Sequence, residues 1–213
     1  MKLHLISFGF VFLFFTAAQA GWTLRGQYYG GQELDLGLYE EIREPLAQDL
    51  KDYVDKLPNL KELKITLNSP GGSYYETLEM LPTFKALKER GVRITTTVNN
   101  GDECDSMCVL LFAQGDVRRA GEVAAFMFHG ISIAAISNIP ERKTSDVLIS
   151  VLASTPGLNK QWLKELVDLG VFYTPGMYWI SGKELVDAGS GYVTETISRN
   201  YREKPYNRSY NPL

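Results

Sequence analysis

Three short stretches contain the residue types that nucleophilic catalysis requires. Ser106 lies between Cys104 and Cys108, and His129 is the one histidine that follows residue 20. A serine hydroxyl becomes a useful nucleophile when a neighbouring base takes its proton, and histidine can accept and return a proton near neutral pH. The third stretch is Asn-Ser-Pro-Gly-Gly at residues 68–72, where glycine permits unusual backbone angles and close approach to a ligand. These residue types fit acyl transfer at a serine if the fold brings the three stretches together.

The predicted elements place two of these stretches at junctions between a strand and a helix. Apolar alternation and β-branched residues predict strands at 63–67, 92–98 and 123–128. Helical patterns predict helices at 74–90, with a kink or interruption at Pro82, and at 106–113. The glycine pair and Ser106 each lie near the start of one of these helices, where free backbone N–H groups can stabilise an anion.

The remaining patterns indicate an α/β fold. Residues 22–27 fit a first strand, and apolar residues from Tyr39 to Leu57 recur at the spacing of an amphipathic helix of about five turns. Two further apolar helical faces are centred near 147–152 and 162–167, and Ser181 with Glu184 predicts a capping box at a last helix. Strands that alternate with helices predict parallel pairing with right-handed crossovers.

The amino terminus has the pattern of a secretory signal peptide at residues 1–20. Lys2 precedes an apolar run at 5–15, and Ala18-Gln19-Ala20 fits a cleavage site, so that the mature chain is expected to begin at Gly21. An uncleaved anchor is the alternative, although the apolar run is short for a membrane span. After cleavage no segment is long and apolar enough to cross a membrane. We therefore expect a periplasmic or secreted protein with one domain at 21–200 and a loose polar tail at 201–213.

Composition excludes some partners and cofactors. The 213 residues have a formal net charge of −3 and no basic block, which argues against a nucleic-acid partner. One histidine and two cysteines cannot complete the usual four-ligand zinc site without carboxylates, so no metal and no cofactor is expected. An oxidising compartment favours a disulfide between Cys104 and Cys108 that fixes the turn around Ser106. Two buried thiols that pack as small apolar side chains are the alternative.

Four stretches, taken in order, resemble the proteolytic subunit of the Clp protease, ClpP. They are Asn68 to Gly72, Asp105-Ser106-Met107, Phe126 to His129, and Ile180 to Leu185 followed by Gly189. The resemblance covers about residues 60 to 195, and the signal peptide makes the chain similar to periplasmic ClpP-like members of the ClpP/crotonase superfamily. It implies a spiral of β-β-α units with a mainly parallel sheet flanked by helices.

The resemblance also implies roles for individual residues. Ser106 would be the nucleophile and His129 the base, and the amides of Gly72 and Met107 would form the oxyanion hole. The implied activity is that of a serine-type peptidase that works without an ATPase partner on small or unfolded polypeptides. A homo-oligomer is compatible with the resemblance, but the segment between His129 and Ser181 lacks convincing matches to the family's oligomerising handle.

The expected acidic member of a triad is missing. The family's aspartate falls at Met177, and a serine protease that loses this acid loses on the order of 10⁴ in activity. Asp146, Asp168 or a backbone carbonyl are the possible substitutes. Lys143 is an alternative base, as in the Ser-Lys dyad of related peptidases, but its polar surroundings at 140–144 predict a solvated loop.

Each of these residues also has a purely structural interpretation. Ser106 can serve as a helix N-cap, His129 as a hydrogen-bonded core histidine, and the glycine pair as a turn. A non-catalytic ClpP-fold protein that binds or assembles with a protein partner is therefore the alternative function. A crotonase-type acyl-CoA enzyme ranks third, because coenzyme A is not expected outside the cytoplasm.

Overall fold

The computed structural model describes residues 21–132 and 139–198. The predicted signal peptide at 1–20 and the polar tail at 201–213 lie outside the described residues. The described strands are β1 Thr23–Tyr28, β2 Glu33–Leu38, β3 Glu62–Leu67, β4 Arg93–Val98, β5 Glu103–Asp105, β6 Val117–Gly121, β7 Ala125–Phe128, β8 Tyr178–Ser181 and β9 Glu195–Ile197. The described helices are α1 Leu46–Asp55, α2 Tyr74–Glu89, α3 Cys108–Phe112, α4 Arg142–Ala153, α5 Lys160–Asp168 and α6 Gly182–Asp187.

The larger sheet has six strands in the order β1-β2-β3-β4-β6-β9. The β1–β2 pair is antiparallel, and every other neighbouring pair is parallel. The predicted parallel pairing of residues 63–67 with 92–98 is confirmed, because Leu63 lies opposite Ile94 in the β3–β4 register. Alternate leucines and isoleucines of β2 and β3 are buried against the core, whereas the intervening residues of these strands are more polar.

The smaller sheet contains β5, β7 and β8, and it corrects one prediction. The strand predicted at 123–128 forms as β7, but it pairs parallel with β5 and antiparallel with β8 instead of joining β4. The place beside β4 is taken by β6, which the apolar pattern did not predict. The apolar pattern missed β6 because Arg118, the second residue of this strand, is charged and yet buried.

The long helix predicted from Tyr39 to Leu57 is also wrong in its first third. The helix α1 begins only at Leu46. The residues from 39 to 45 instead connect α1 to the preceding strand β2, which ends at Leu38. Backbone bonds explain the difference, since the Ile42 N–H donates to the Gly71 carbonyl at 2.6 Å and the Ile42 carbonyl accepts from the Ser73 N–H at 2.7 Å. These bonds form a one-residue parallel bridge between Ile42 and Gly72, which keeps this part of the chain extended.

The helix termini follow the sequence patterns closely. Pro82 is an exception, because the predicted interruption is wrong and α2 continues through this residue. Gly91 follows the helix with a φ of +76°. The predicted capping box is confirmed, because the Ser181 hydroxyl accepts from the Glu184 N–H and the Glu184 carboxylate accepts from the Ser181 N–H. Lys143 lies in the first turn of α4 instead of a loop, but it is exposed as expected. In the described part of the chain, no helix is both long and apolar enough to span a membrane.

Candidate active site

Ser106 occupies a strained turn between β5 and α3. Its φ of +55° lies in the left-handed region, which residues other than glycine seldom adopt. The Ser106 N–H donates to the Met127 carbonyl at 2.8 Å, and its own carbonyl accepts from Val109 at 3.1 Å. The N-cap of α3 is Met107, so the helix starts two residues later than predicted and Ser106 is not its N-cap.

Strand pairing brings His129 to this turn. Residues Asp105 and Met127 lie opposite each other in the parallel β5–β7 pair, so the chain leaves both strands at the same edge of the smaller sheet. His129 follows β7, and its Nε2 lies 2.6 Å from the Ser106 Oγ. This separation permits a direct proton transfer between the hydroxyl and the imidazole.

Burial sets the electrostatics of the imidazole. Desolvation lowers the pKa of His129 below its ordinary value of 6.5, because the interior disfavours the charged ring. A hydrogen bond with the backbone of Gly130 acts in the opposite direction. The ring is therefore kept neutral near pH 7, and a neutral ring can accept a proton from Ser106.

Backbone hydrogen bonds connect the glycine loop at residues 69–72 to the turn that carries Ser106. Ser69 and Cys104 form an isolated parallel bridge, with the Ser69 N–H bonded to the Glu103 carbonyl at 2.8 Å and the Asp105 N–H bonded to the Ser69 carbonyl at 3.0 Å. Gly71 has a φ of +89° and lies so close that an added Cβ would meet the Ser106 Cβ at 2.7 Å. Only glycine fits at this position without displacing the serine.

Gly72 and Met107, whose amides are predicted to form an oxyanion hole, line the same cavity as Ser106. Across residues 21–132 and 139–198, neither the Gly72 N–H nor the Met107 N–H is bonded to a protein acceptor. The cavity has a volume of about 480 Å³ and is lined by Glu41, Pro70, Gly71, Gly72, Ser73, Tyr74, Tyr75, Ser106, Met107, His129, Ile131 and Ser132. Two available N–H groups beside a nucleophile are what a tetrahedral oxyanion requires.

The carboxylates considered from the sequence are engaged elsewhere. Met177, at the position of the expected acid, is half exposed. The Asp146 carboxylate accepts from the Tyr173 hydroxyl at 2.5 Å, and the Asp168 carboxylate is bonded to Lys164. A backbone group was the third alternative, and the Gly130 backbone is the group that bonds the His129 ring.

The predicted disulfide between Cys104 and Cys108 is present. The two Cα atoms are 5.1 Å apart, and both residues are fully buried. The bond joins the middle of β5 to the first residue of α3 and so encloses the turn that carries Ser106. Among the described residues, no group of three or more histidine, cysteine, aspartate or glutamate side chains is arranged to hold a metal.

Tyr192 supports α3, the helix that follows Ser106, and was not identified from the sequence. Its hydroxyl donates to the Val109 carbonyl in α3 at 2.5 Å, and its ring packs against Phe112, Phe126 and Phe128. It follows the short segment after α6, where no periodic pattern marks a buried residue. The signal that was available is its residue type, because a tyrosine ring buries a large apolar area and its hydroxyl usually finds a hydrogen-bond partner.

Comparisons with known proteins support the fold and say little about the sequence family. No protein-family model matches the sequence, and no curated protein matches it. Among solved structures, the chain is similar to the catalytic domain of the ClpP protease from Plasmodium falciparum, with a TM-score of 0.59 and 22% sequence identity. The match covers 83% of this chain and 90% of that one. With its parallel sheet, second small sheet and flanking helices, the chain therefore has a ClpP/crotonase-like fold.

Proposed function

We propose that this protein is a serine-type peptidase that cleaves small or unfolded polypeptides without an ATPase partner. The observation that carries the proposal is the 2.6 Å separation of the His129 Nε2 and the Ser106 Oγ at a strained turn that borders a cavity. A structural serine or histidine would not require the left-handed conformation at residue 106. We place the enzyme outside the cytoplasm, and the disulfide between Cys104 and Cys108 supports this location.

In the acylation step, the Ser106 Oγ attacks the scissile carbonyl carbon while its proton moves to the His129 Nε2. The carbonyl oxygen becomes an oxyanion that accepts hydrogen bonds from the Gly72 and Met107 N–H groups. One such donor contributes about 3 kcal/mol to lowering the barrier. The C–N bond then breaks, the leaving amine takes the proton from His129, and an ester to Ser106 remains.

In the deacylation step, a water molecule gives a proton to the His129 Nε2 and attacks the ester carbonyl. The second tetrahedral intermediate uses the same two amides. Its collapse breaks the bond to the Ser106 Oγ, which regains the proton from His129. The carboxylic acid product leaves and releases its proton to solvent. The Gly130 backbone orients the imidazole through both steps in place of a carboxylate.

A non-catalytic binding protein of the same fold is the second candidate. The observation in its favour is Met177, a half-exposed residue at the sequence position where the resemblance places the acid. Without the negative charge of an acid the imidazolium formed in each step is less stabilised, so the rate is expected to be low compared with a full triad.

Hydrolysis of fluorescently labelled casein, an unfolded polypeptide, tests the proposal without ATP. We expect cleavage by the wild-type protein and a decrease of at least about 1000-fold in Ser106→Ala. Ser154→Ala is the matched control, because the Ser154 hydroxyl bonds only the Val151 carbonyl of its own helix and lies on the surface. Equal activity in the wild type and in Ser106→Ala would overturn the proposal.

A further inference from the structure

The cavity beside Ser106 has a negative wall. Among the described residues that line it, Glu41 carries the one carboxylate, and no lysine or arginine is present. His129 adds little positive charge, because its buried ring is neutral near pH 7. A cationic group in the cavity would therefore be attracted by the Glu41 carboxylate, and no lysine or arginine among these lining residues would repel it.

Backbone bonds fix Glu41 next to the oxyanion loop. The neighbouring Ile42 bonds the Gly71 carbonyl and the Ser73 N–H, so that the extended segment runs alongside residues 71–73. A Cβ added at Gly72 would come within 2.9 Å of the Glu41 Cγ, which shows how closely the glutamate stem packs on the loop. The stem of Glu41 thus lies against the loop that carries the Gly72 amide, and its side chain lines the cavity that contains Ser106.

The Glu41 carboxylate has no cationic partner within the described ranges. The adjacent Glu40 differs, because it forms an ion pair with Arg43 at 3.7 Å. A surface carboxylate without a partner is common, but this one faces a cavity that also contains the nucleophile. Its charge is therefore available to a ligand.

Two tyrosines complete the surroundings that a cation prefers. Tyr74 and Tyr75 line the cavity with rings 5.2 Å apart in an edge-on arrangement, and Tyr75 is 61% exposed. Burial raises the pKa of Tyr74, and electrostatic interactions with Tyr75 and Glu141 raise it further. An aromatic face near a carboxylate attracts ammonium and guanidinium groups.

From this arrangement we infer that Glu41 selects polypeptides with a lysine or arginine within one or two residues of the scissile bond. The substrate cation pairs with the Glu41 carboxylate while its alkyl stem lies against Tyr75. This inference rests on the proposed peptidase function, because it concerns the substrate of the same site.

The test compares two peptides that differ only in lysine or glutamine near the scissile bond. We expect the wild type to cleave the lysine peptide with a kcat/KM about tenfold higher, equivalent to about 1.4 kcal/mol. Glu41→Gln should remove this preference, so that the variant cleaves the two peptides with equal kcat/KM. Glu40→Gln, which removes one carboxylate outside the cavity, should keep the preference. Added salt should weaken it, because exposed charges are screened.

Two outcomes overturn the inference while leaving the peptidase intact. They are equal cleavage of both peptides by the wild type, and a lysine preference that survives in Glu41→Gln. If neither peptide is cleaved and Ser106 is not reactive, the peptidase proposal fails instead. Glu41 is then tested by binding, since Ser106→Ala should bind the lysine peptide more tightly than Ser106→Ala/Glu41→Gln, and equal affinity overturns the inference.

Discussion

At the scale of single residues, the site depends on a conformation that the chain must hold against strain. A left-handed backbone at a serine costs about 1–3 kcal/mol, and such strain persists where the surroundings fix it. Here the Ser106 N–H is bonded to Met127, and Gly71 packs against the Ser106 side chain. The consequence is a hydroxyl presented to His129 and to the cavity.

Replacing Gly71 by alanine should damage this arrangement. The alanine would have to adopt the φ of +89° that residue 71 has in the structure. Its Cβ would lie 2.6 Å from the Asp105 carbonyl oxygen, so the turn must shift. We expect the free energy of unfolding to fall by about 2–4 kcal/mol in chemical denaturation and casein cleavage to fall at least about 100-fold. Gly91→Ala is the control, because Gly91 also has a positive φ of +76° but open space around it.

Comparing the two glycine variants separates the effect of backbone strain, which both share, from the effect of steric contact with Ser106, which only residue 71 makes. Gly91→Ala should lose about 1 kcal/mol of stability and keep its activity, since strain is its only penalty. Equal losses of activity in both variants would contradict the close contact between residue 71 and the serine.

The pH dependence of activity should reflect the burial of His129. The reaction requires the neutral imidazole, and the neutral fraction rises as pH increases through the pKa of His129. Because burial lowers this pKa, kcat/KM should reach half of its plateau below pH 6.5 and stay level from about pH 7 upward. A half-maximum above pH 6.5 would show that the ring is stabilised as a cation, contrary to the structure.

The sequence was most informative about residues that carry chemistry. Ser106, His129 and the glycine pair stand out by type and order, and the structure places them together. The contact of Gly71 with Ser106 could not be predicted, because it depends on how two distant loops approach each other. The partner of the imidazole was left open for the same reason, since a backbone group leaves no trace in residue type.

At the scale of elements, α3 and β5 form a unit closed by the disulfide. The helix has only five residues and little stability of its own, so the covalent bond and the Tyr192 hydroxyl hold it in place. The closed loop contains few residues, and chain entropy alone predicts a stabilisation of about 2 kcal/mol. We expect the disulfide to have its greater effect on the orientation of the Met107 amide and the Ser106 hydroxyl.

Replacing both Cys104 and Cys108 by alanine should therefore reduce activity more than stability. We expect the unfolding free energy to fall by about 2 kcal/mol or somewhat more, because small buried side chains are also truncated. The cleavage rate of casein should fall at least about tenfold, measured where the variant is still fully folded. An unchanged rate with a large loss of stability would show that the disulfide serves folding alone.

The errors in predicting elements have physical causes. The spacing of apolar residues before Leu46 fits a helix, but the bonds of Ile42 to the glycine loop override that local preference. β7 was predicted correctly as a buried strand, yet periodicity does not say which sheet a strand joins. Strands β3 and β4 were placed correctly because their apolar faces and the helix between them follow the usual parallel crossover.

At the scale of the whole molecule, hydrogen bonds from Arg118 in β6 connect the carboxyl-terminal part of the chain to the larger sheet. Its buried guanidinium donates to the carbonyls of Gly115, Pro156, Gly191 and Tyr192, at distances between 2.7 and 2.9 Å. Desolvation lowers the pKa of Arg118, but the four backbone acceptors compensate for the buried charge. The same contacts place Tyr192 against α3.

Arg118→Met should be strongly destabilising, because it leaves buried carbonyls without a donor. We expect a loss of about 3–5 kcal/mol in the free energy of unfolding, measured by chemical denaturation. The neighbouring Arg119 is a matched control, since it is half exposed and pairs with Glu195 at 3.3 Å on the surface. Arg119→Met should cost about 1 kcal/mol or less, and similar losses in the two variants would refute the role of Arg118.

Covalent labelling with a fluorophosphonate tests the central claim most directly. The Ser106 Oγ should attack phosphorus, fluoride should leave, and the proton should pass to His129. We predict one adduct per chain on the peptide that contains Ser106, no adduct in Ser106→Ala, unchanged labelling in Ser154→Ala, and labelling at least about 100-fold slower in His129→Ala. A folded wild-type protein that stays unlabelled, or equal labelling of Ser106→Ala, would contradict the assignment of Ser106 as a nucleophile activated by His129.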